Sequence, residues 1–160
     1  MINKMMKRKL KAMVARPHKK PCVIEIDGTP ESICKIVGGA YDISSEMFGY
    51  SPLLHFSKND SFHGQPNRVI YASPSILGDK LVTRLDPRGA IEVPHIYKIF
   101  YGPVLGIAYE QDKKTGELKM RDMTFDECLD FEKLFGHPVS YFEYARLIDF
   151  NLRNSKNICF

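Results

Sequence analysis

The segment Ile26-Asp-Gly-Thr-Pro-Glu-Ser-Ile-Cys-Lys-Ile-Val-Gly-Gly39 carries both a start and a stop signal for one short helix, and it limits the fold more than any other stretch of the chain. The Thr29 hydroxyl can cap free backbone N–H groups, Pro30 suits the first helical position, and Glu31 favours the positive dipole end. Ile33, Ile36 and Val37 then recur at three- and four-residue offsets, which predicts one inward-facing stripe. Gly38 and Gly39 follow at once. The first can take a left-handed conformation that ends the helix, and the second eases departure toward Ala40-Tyr-Asp-Ile43. A dinucleotide loop needs its glycines after a strand, at the positive start of a helix, whereas these stand at the negative end. The chain also has no G-x-x-x-x-G-K-[ST] run. The pair therefore reads as a helix terminator.

Strand patterns surround this helix. Leu10, Met13 and Val14 suggest an opening strand, Cys22-Val-Ile-Glu-Ile26 alternates more clearly, and Arg16 to Pro21 supplies a turn that makes the two a hairpin. Leu53-Leu-His-Phe56 reads as a short strand. Ser57 to Ser61 and Gly64-Gln-Pro-Asn67 read as polar turns around Phe62 and His63, and Val69-Ile-Tyr71 and Lys80-Leu-Val-Thr83 resume extended patterns. After a turn at Tyr101-Gly-Pro103, Val104 to Tyr109 and Leu118 to Arg121 flank the loop Asp112 to Glu117, the clearest antiparallel pair in the chain. Asp122 to Gly136 changes to helical spacing, with Thr124 and Glu127 as a capping box and Phe125, Cys128, Leu129 and Phe135 as the apolar side. Ser140 and Glu143 repeat that cap before Phe142, Ala145, Leu147, Ile148 and Phe150.

The expected fold is α+β: one small mixed or mainly antiparallel sheet, an early packed helix and two C-terminal helices. Its organisation is a basic arm over 1–9, a single domain over 10–152 with a helical extension from about 123, and a tail over 153–160. With 160 residues, 44% of them hydrophobic, the chain suits one compact core.

Charge is unevenly placed. Residues 1–20 hold eight basic and no acidic side chains, while residues 21–160 hold 15 basic and 19 acidic, so the formal +4 belongs to one end. Such an arm attracts phosphates or an acidic protein, and a solvated end has the same composition. Cys22, Cys34, Cys128 and Cys159 have neither zinc-knuckle pairing nor a redox Cys-x-x-Cys. No long apolar span or apolar secretion segment after the basic residues is present in the sequence. The expectation is a cytoplasmic protein with reduced thiols and no membrane partner.

The run Pro21-Cys-Val-Ile-Glu-Ile-Asp-Gly-Thr-Pro-Glu-Ser-Ile-Cys-Lys-Ile-Val-Gly-Gly39 resembles the opening of an uncharacterised family of small domains found in bacteria, mobile elements and phages. Gly64-Gln-Pro-Asn67 and the hydrophobic segment after it are similar to that family's continuation, so the resemblance covers residues 11–110. It implies a microbial or phage-associated α+β domain acting on a host or mobile-element system. It brings no reaction and no catalytic residue, and the basic arm and the closing helices lie beyond it.

The residues support no catalytic, cofactor or metal assignment. His55, His63 and Asp60 supply ligand types for a transition metal only if their loop folds back, and no ligand motif accompanies them. Cys34 and Cys128 fall on apolar helical stripes and read as core residues. Asp126 and Glu127 suit a helix first turn, and Asp130 faces solvent. Nucleic-acid binding would draw on Lys7, Arg8, Lys9 and Lys11, aided by Arg68 and Arg84, with Tyr41, Tyr50 or Tyr71 stacking on bases. Protein binding would draw on Phe142, Tyr144 and Phe150 as aromatic anchors, if packing leaves them exposed. The favoured reading is a noncatalytic protein-binding or regulatory module with a protein partner, a host protein in the phage setting; homo-oligomer formation is compatible with it. A nucleic-acid-binding accessory protein is the alternative.

Overall fold

A computed structural model describes residues 9–49, 51–58, 66–71, 96–140, 143–145 and 147. Its strands are β1 (Leu10–Ala15), β2 (Cys22–Ile26), β3 (Tyr41–Ser44), β4 (Leu53–Ser57), β5 (Pro66–Tyr71), β6 (Ile96–Tyr101), β7 (Val104–Gln111) and β8 (Leu118–Arg121). The helices with defined bounds among the described residues are α1 (Pro30–Val37) and α2 (Phe125–Phe135), and residues 143–145 and 147 are also helical. Five strands lie in the order β2-β1-β7-β4-β3, β8 pairs with the far end of β7, and β5 and β6 form a separate antiparallel pair. All pairings among the described residues are antiparallel. The α+β architecture matches that expected from the pattern of elements.

The helix predicted between Thr29 and Gly38 forms with the expected signals. Thr29 Oγ1 accepts the Ser32 N–H, and Gly38 adopts φ 92°, ψ 21°. The N–H groups of Gly38 and Gly39 both return to the Cys34 carbonyl, satisfying an acceptor that the helix end would otherwise leave open. The glycines are a cap.

Side-chain alternation along β1 and β7 divides the core between the two sheet faces. On one face, Ala12, Val14, Leu105 and Ile107 pack with Ile33 and Val37 of α1. On the other, Met13, Ala15, Val104 and Ala108 pack with Phe131 and Phe135 of α2 and with Ile70 and Phe100 of the β5–β6 pair. Phe48 extends this second layer, with ring centroids 6.4 Å from both Phe131 and Phe135.

Two expectations change. Gly64 to Asn67 was read as a polar turn, but Pro66 and Asn67 belong to β5 and are buried. Asn67 can enter the core because its amide donates to the Ala15 and Gly102 carbonyls at 2.8 and 2.7 Å. The strand expected at Leu53 to Phe56 forms as β4 with His55 buried in it, but it runs on to Ser57, which was read as the start of a polar turn and is also buried. The Lys80–Thr83 strand, the parts of the two polar turns that fall within 59–65, and the tail at 153–160 lie outside the described residues.

Candidate functional site

Helix α2 is held by a dense set of interactions at its start. Thr124 and Glu127 form the expected capping box, and Glu127 reaches further than a cap requires. Arg121 binds its carboxylate through Nη1 at 2.6 Å and Nη2 at 3.1 Å, and Ser51 Oγ donates to Oε2 at 2.5 Å. Burial raises the carboxyl pKa, but the bonds from Arg121, Ser51 and Thr124 outweigh it and hold the value at about 2. A carboxylate so engaged is a helix anchor, not a proton donor.

Packing fixes which side of α2 faces inward. Phe131 and Phe135 are fully buried, and Phe131 lies over Gly106 of β7. Sequence spacing placed Phe125 and Leu129 on the packed side together with Cys128 and Phe135. The structure corrects this: Phe125 is 77% exposed and Leu129 is 36% exposed. Apolar residues 125, 128, 129, 131, 134 and 135 span roughly 220° of the helix circumference at 3.6 residues per turn, more than one sheet contact can cover. That excess arc was the available sequence signal, and Phe131 is the residue whose burial turns Phe125 outward.

The outward stripe of α2 faces the β1–β2 hairpin across a groove. It consists of two adjoining hollows of about 340 and 480 Å³ that share Pro21, Leu129 and Glu132. Met13, Val23, Met123 and Phe125 give one end an apolar lining, with Lys11 at its edge. Lys20, Lys133, Gly136 and His137 line the other end. Val23 is 50% exposed although its pairing partner Met13 is buried, because α2 stops short of β2.

Both ends of this groove are tied. At the Phe125 end, the Lys11 N–H donates to Asp122 Oδ1 at 2.9 Å and its carbonyl accepts the Met123 N–H at 3.0 Å. At the other end Arg68 joins the hairpin turn to the end of α2. Its Nε donates to the Phe135 carbonyl at 2.7 Å, Nη1 to the Arg16 carbonyl at 3.3 Å, and Nη2 to the Lys19 carbonyl. Nη1 also reaches Asn67 Oδ1 at 2.6 Å. Walls clamped at both ends give a preformed cleft, which lowers the ordering cost of binding.

Arg68 was a nucleic-acid candidate; it is 1% exposed, and its donors are committed to backbone carbonyls and Asn67, so it offers no phosphate contact. Lys9 and Lys11 are exposed. Lys7, Arg8 and Arg84 lie outside the described residues. Among the protein-binding candidates, Tyr144 is helical and 39% exposed, and the Ser140–Glu143 cap forms as expected. Phe142 and Phe150 lie outside the described residues, as do His63, Asp60 and Tyr50. Tyr41 packs beside His55, with ring centroids 5.6 Å apart.

The remaining polar constellation is internal. His55 Nε2 stands 3.1 Å from Tyr109 Oη, and Nδ1 stands 3.3 Å from the Leu53 carbonyl. Burial lowers the His55 pKa against the raising effect of the Leu53 and Leu105 carbonyls. Burial, then the neighbouring Tyr41, pushes the Tyr109 phenol up to about 12. This pair stays neutral and satisfied near neutral pH, as a stacked strut within the α1 layer. Cys128 is likewise unsuited to nucleophilic work, since burial raises its thiol pKa. Among the described residues no group of three His, Cys, Asp or Glu side chains is gathered to hold a metal ion. Nor is any helix among them long and apolar enough to cross a membrane.

No protein-family model, curated protein or solved structure matches this chain. These comparisons therefore bring no residue roles to the groove.

Proposed function

We propose that this protein is a noncatalytic protein-binding or regulatory module, and that the groove between α2 and the β1–β2 hairpin is its binding surface. The observation that carries this reading is Phe125, 77% exposed on the wall of a clamped apolar cleft. Covering a phenyl ring of this exposure is worth roughly 2 kcal/mol, and Val23 and Leu129 beside it add to the area available. An aromatic in a pocket ringed by charged residues is the usual anatomy of a protein-binding hot spot.

The test is a photo-crosslinking amino acid placed at Phe125 in cells that express the protein, with the same substitution at Ile43 as control. Ile43 is 52% exposed on β3, at the opposite edge of the sheet. Adducts are expected from position 125 that excess wild-type protein suppresses and Phe125→Ser protein does not. Equal adducts from both positions, or adducts that the Phe125→Ser protein suppresses as well, would refute the assignment.

A further inference from the structure

We infer that the groove takes an amphipathic helix of a partner protein, lying antiparallel to α2 with its acidic first turn against Arg16, Lys19, Lys20 and Lys133. This rests on the groove being the binding surface, and three observations specify the occupant.

The first is the unfinished helical layer. On the α2 side of the sheet, Phe131 sits over β7, while Phe48 and the β5–β6 pair extend cover toward β4. In the other direction β1 and then β2 follow β7. Two strand spacings amount to about 9.6 Å, and neighbouring helices pack about 8–10 Å apart. A helix docked beside α2 therefore centres over β2, where Val23 is left uncovered. An extended strand in the same place would fill about half that width.

The second is the length and spacing of the anchors. Phe125 and Leu129 stand one turn apart on α2, and the lining continues through Glu132 and Lys133 to Gly136. At 1.5 Å per residue, Phe125 to Gly136 spans about 16 Å, the length of a three-turn helix with apolar residues at offsets of three, four and seven.

The third is charge. The hairpin-turn end of the groove gathers Lys20 and Lys133 in its lining, with Arg16 and Lys19 in the turn that Arg68 ties to the end of α2, against one lining acid, Glu132. At the far end Lys11 stands opposite Glu25 in the β1–β2 pairing, so the positive excess is concentrated at the turn. The chain's own terminal segments match it poorly. Residues 1–8 carry Lys4, Lys7 and Arg8, residues 151–160 carry Arg153 and Lys156, and neither stretch has an acid. Acidic residues favour a helix N-terminus, so the docked helix begins at the turn, where α2 ends. Antiparallel dipoles follow from that orientation.

A display library of random 16-residue peptides is selected on folded wild-type protein at low salt, and in parallel on Phe125→Ser and on Lys20→Glu/Lys133→Glu. The wild-type pool is expected to converge on helix-forming sequences with apolar residues at those offsets and Asp or Glu in the first turn. The charge-reversed protein should bind these peptides roughly tenfold more weakly and select Lys or Arg there instead. Phe125→Ser should lose the pool altogether while keeping the wild-type melting curve. If Phe125→Ser retains the pool, or if no family of peptides emerges, the groove reading fails and the helix with it. If Phe125→Ser loses the pool but the winners are extended or acid-free, or charge reversal has no effect, the groove stands and the acidic helix is refuted. Sedimentation completes the test: a wild-type dimer dissociated by Phe125→Ser makes a second copy the occupant and overturns the inference.

Discussion

Replacing Gly106 with alanine tests the seat on which the groove depends. In an open strand, alanine gains roughly 0.5–1 kcal/mol over glycine from the smaller backbone entropy loss. Here a Cβ on Gly106 would stand 2.8 and 2.9 Å from Cδ2 and Cε2 of Phe131, well inside the optimal carbon separation of about 3.5–4.0 Å. The ring has little room to retreat, because Phe131 is fully buried with Phe135 4.7 Å away and Phe48 6.4 Å away between centroids. Overpacking costs about 1–3 kcal/mol, and with the ring hemmed in on both sides the upper part of that range, about 2–3 kcal/mol, applies. After the alanine gain is offset, Gly106→Ala is expected to destabilise by about 1–2 kcal/mol, a fall in Tm of about 3–8 °C for a domain of this size. Urea denaturation should show a lower midpoint with an unchanged slope. Phe131→Leu removes the clashing ring atoms, so the double variant should be more stable than the two single costs add to, by about 1 kcal/mol or more. A Gly106→Ala protein as stable as wild type, or more stable, would refute the seating of α2 on β7. The spacing from which a second helix falls over β2 would lose its reference point.

Other perturbations reach the clamps and the buried titratable groups. Arg68→Met strands the carbonyls of Phe135, Arg16 and Lys19 and should cost about 4 kcal/mol in chemical denaturation, while Asn67→Ala, losing the two bonds its amide donates and the one it accepts from Arg68, should cost about 3. The Glu127 pKa lies at about 2, below its ordinary 4.5, so its contribution is complete above about pH 4.5 and is lost as pH falls toward 2. The stability gap between wild type and Glu127→Gln should therefore shrink over that interval by about 2 kcal/mol, a figure discounted for the exposed part of Arg121. The His55 pKa is lowered from 6.5, so its contribution is present above pH 6.5 and is lost as pH falls below it. Imidazole NMR titration should place the His55 signal, identified by its loss in His55→Gln, below 6.5, and that variant should also lose the corresponding share of the acid sensitivity.

Much of the fold was legible because its signals are local. Thr29-Pro30 and Gly38-Gly39 bound α1, Thr124 with Glu127 opens α2, Ser140 with Glu143 caps the following turn, and the loop 112–117 joins β7 to β8. Each depends on hydrogen bonds or dihedral preferences spanning a few residues. β6 was not anticipated, and Pro66 and Asn67 read as a turn, because a strand that starts with turn-forming residues is specified by its partner and by distant acceptors for the Asn67 amide.

The groove belongs to the other category. Periodicity identifies the apolar residues of α2, but it cannot divide Phe125 and Leu129 from Phe131 and Phe135 when all lie on one broad arc. Gly106 makes that division by leaving space for the Phe131 ring, and the choice turns Phe125 to solvent. The same holds for Arg68: as a cation in sequence it belonged with the phosphate-binding candidates, and only the convergence of three carbonyls from the hairpin turn and the end of α2 gives it a buried place. By itself the sequence determined where the elements begin and end, since caps and turns act over one or two turns of chain. Tertiary structure decided which faces are buried and which remain to be covered, since burial is shared between surfaces brought together from distant parts of the chain.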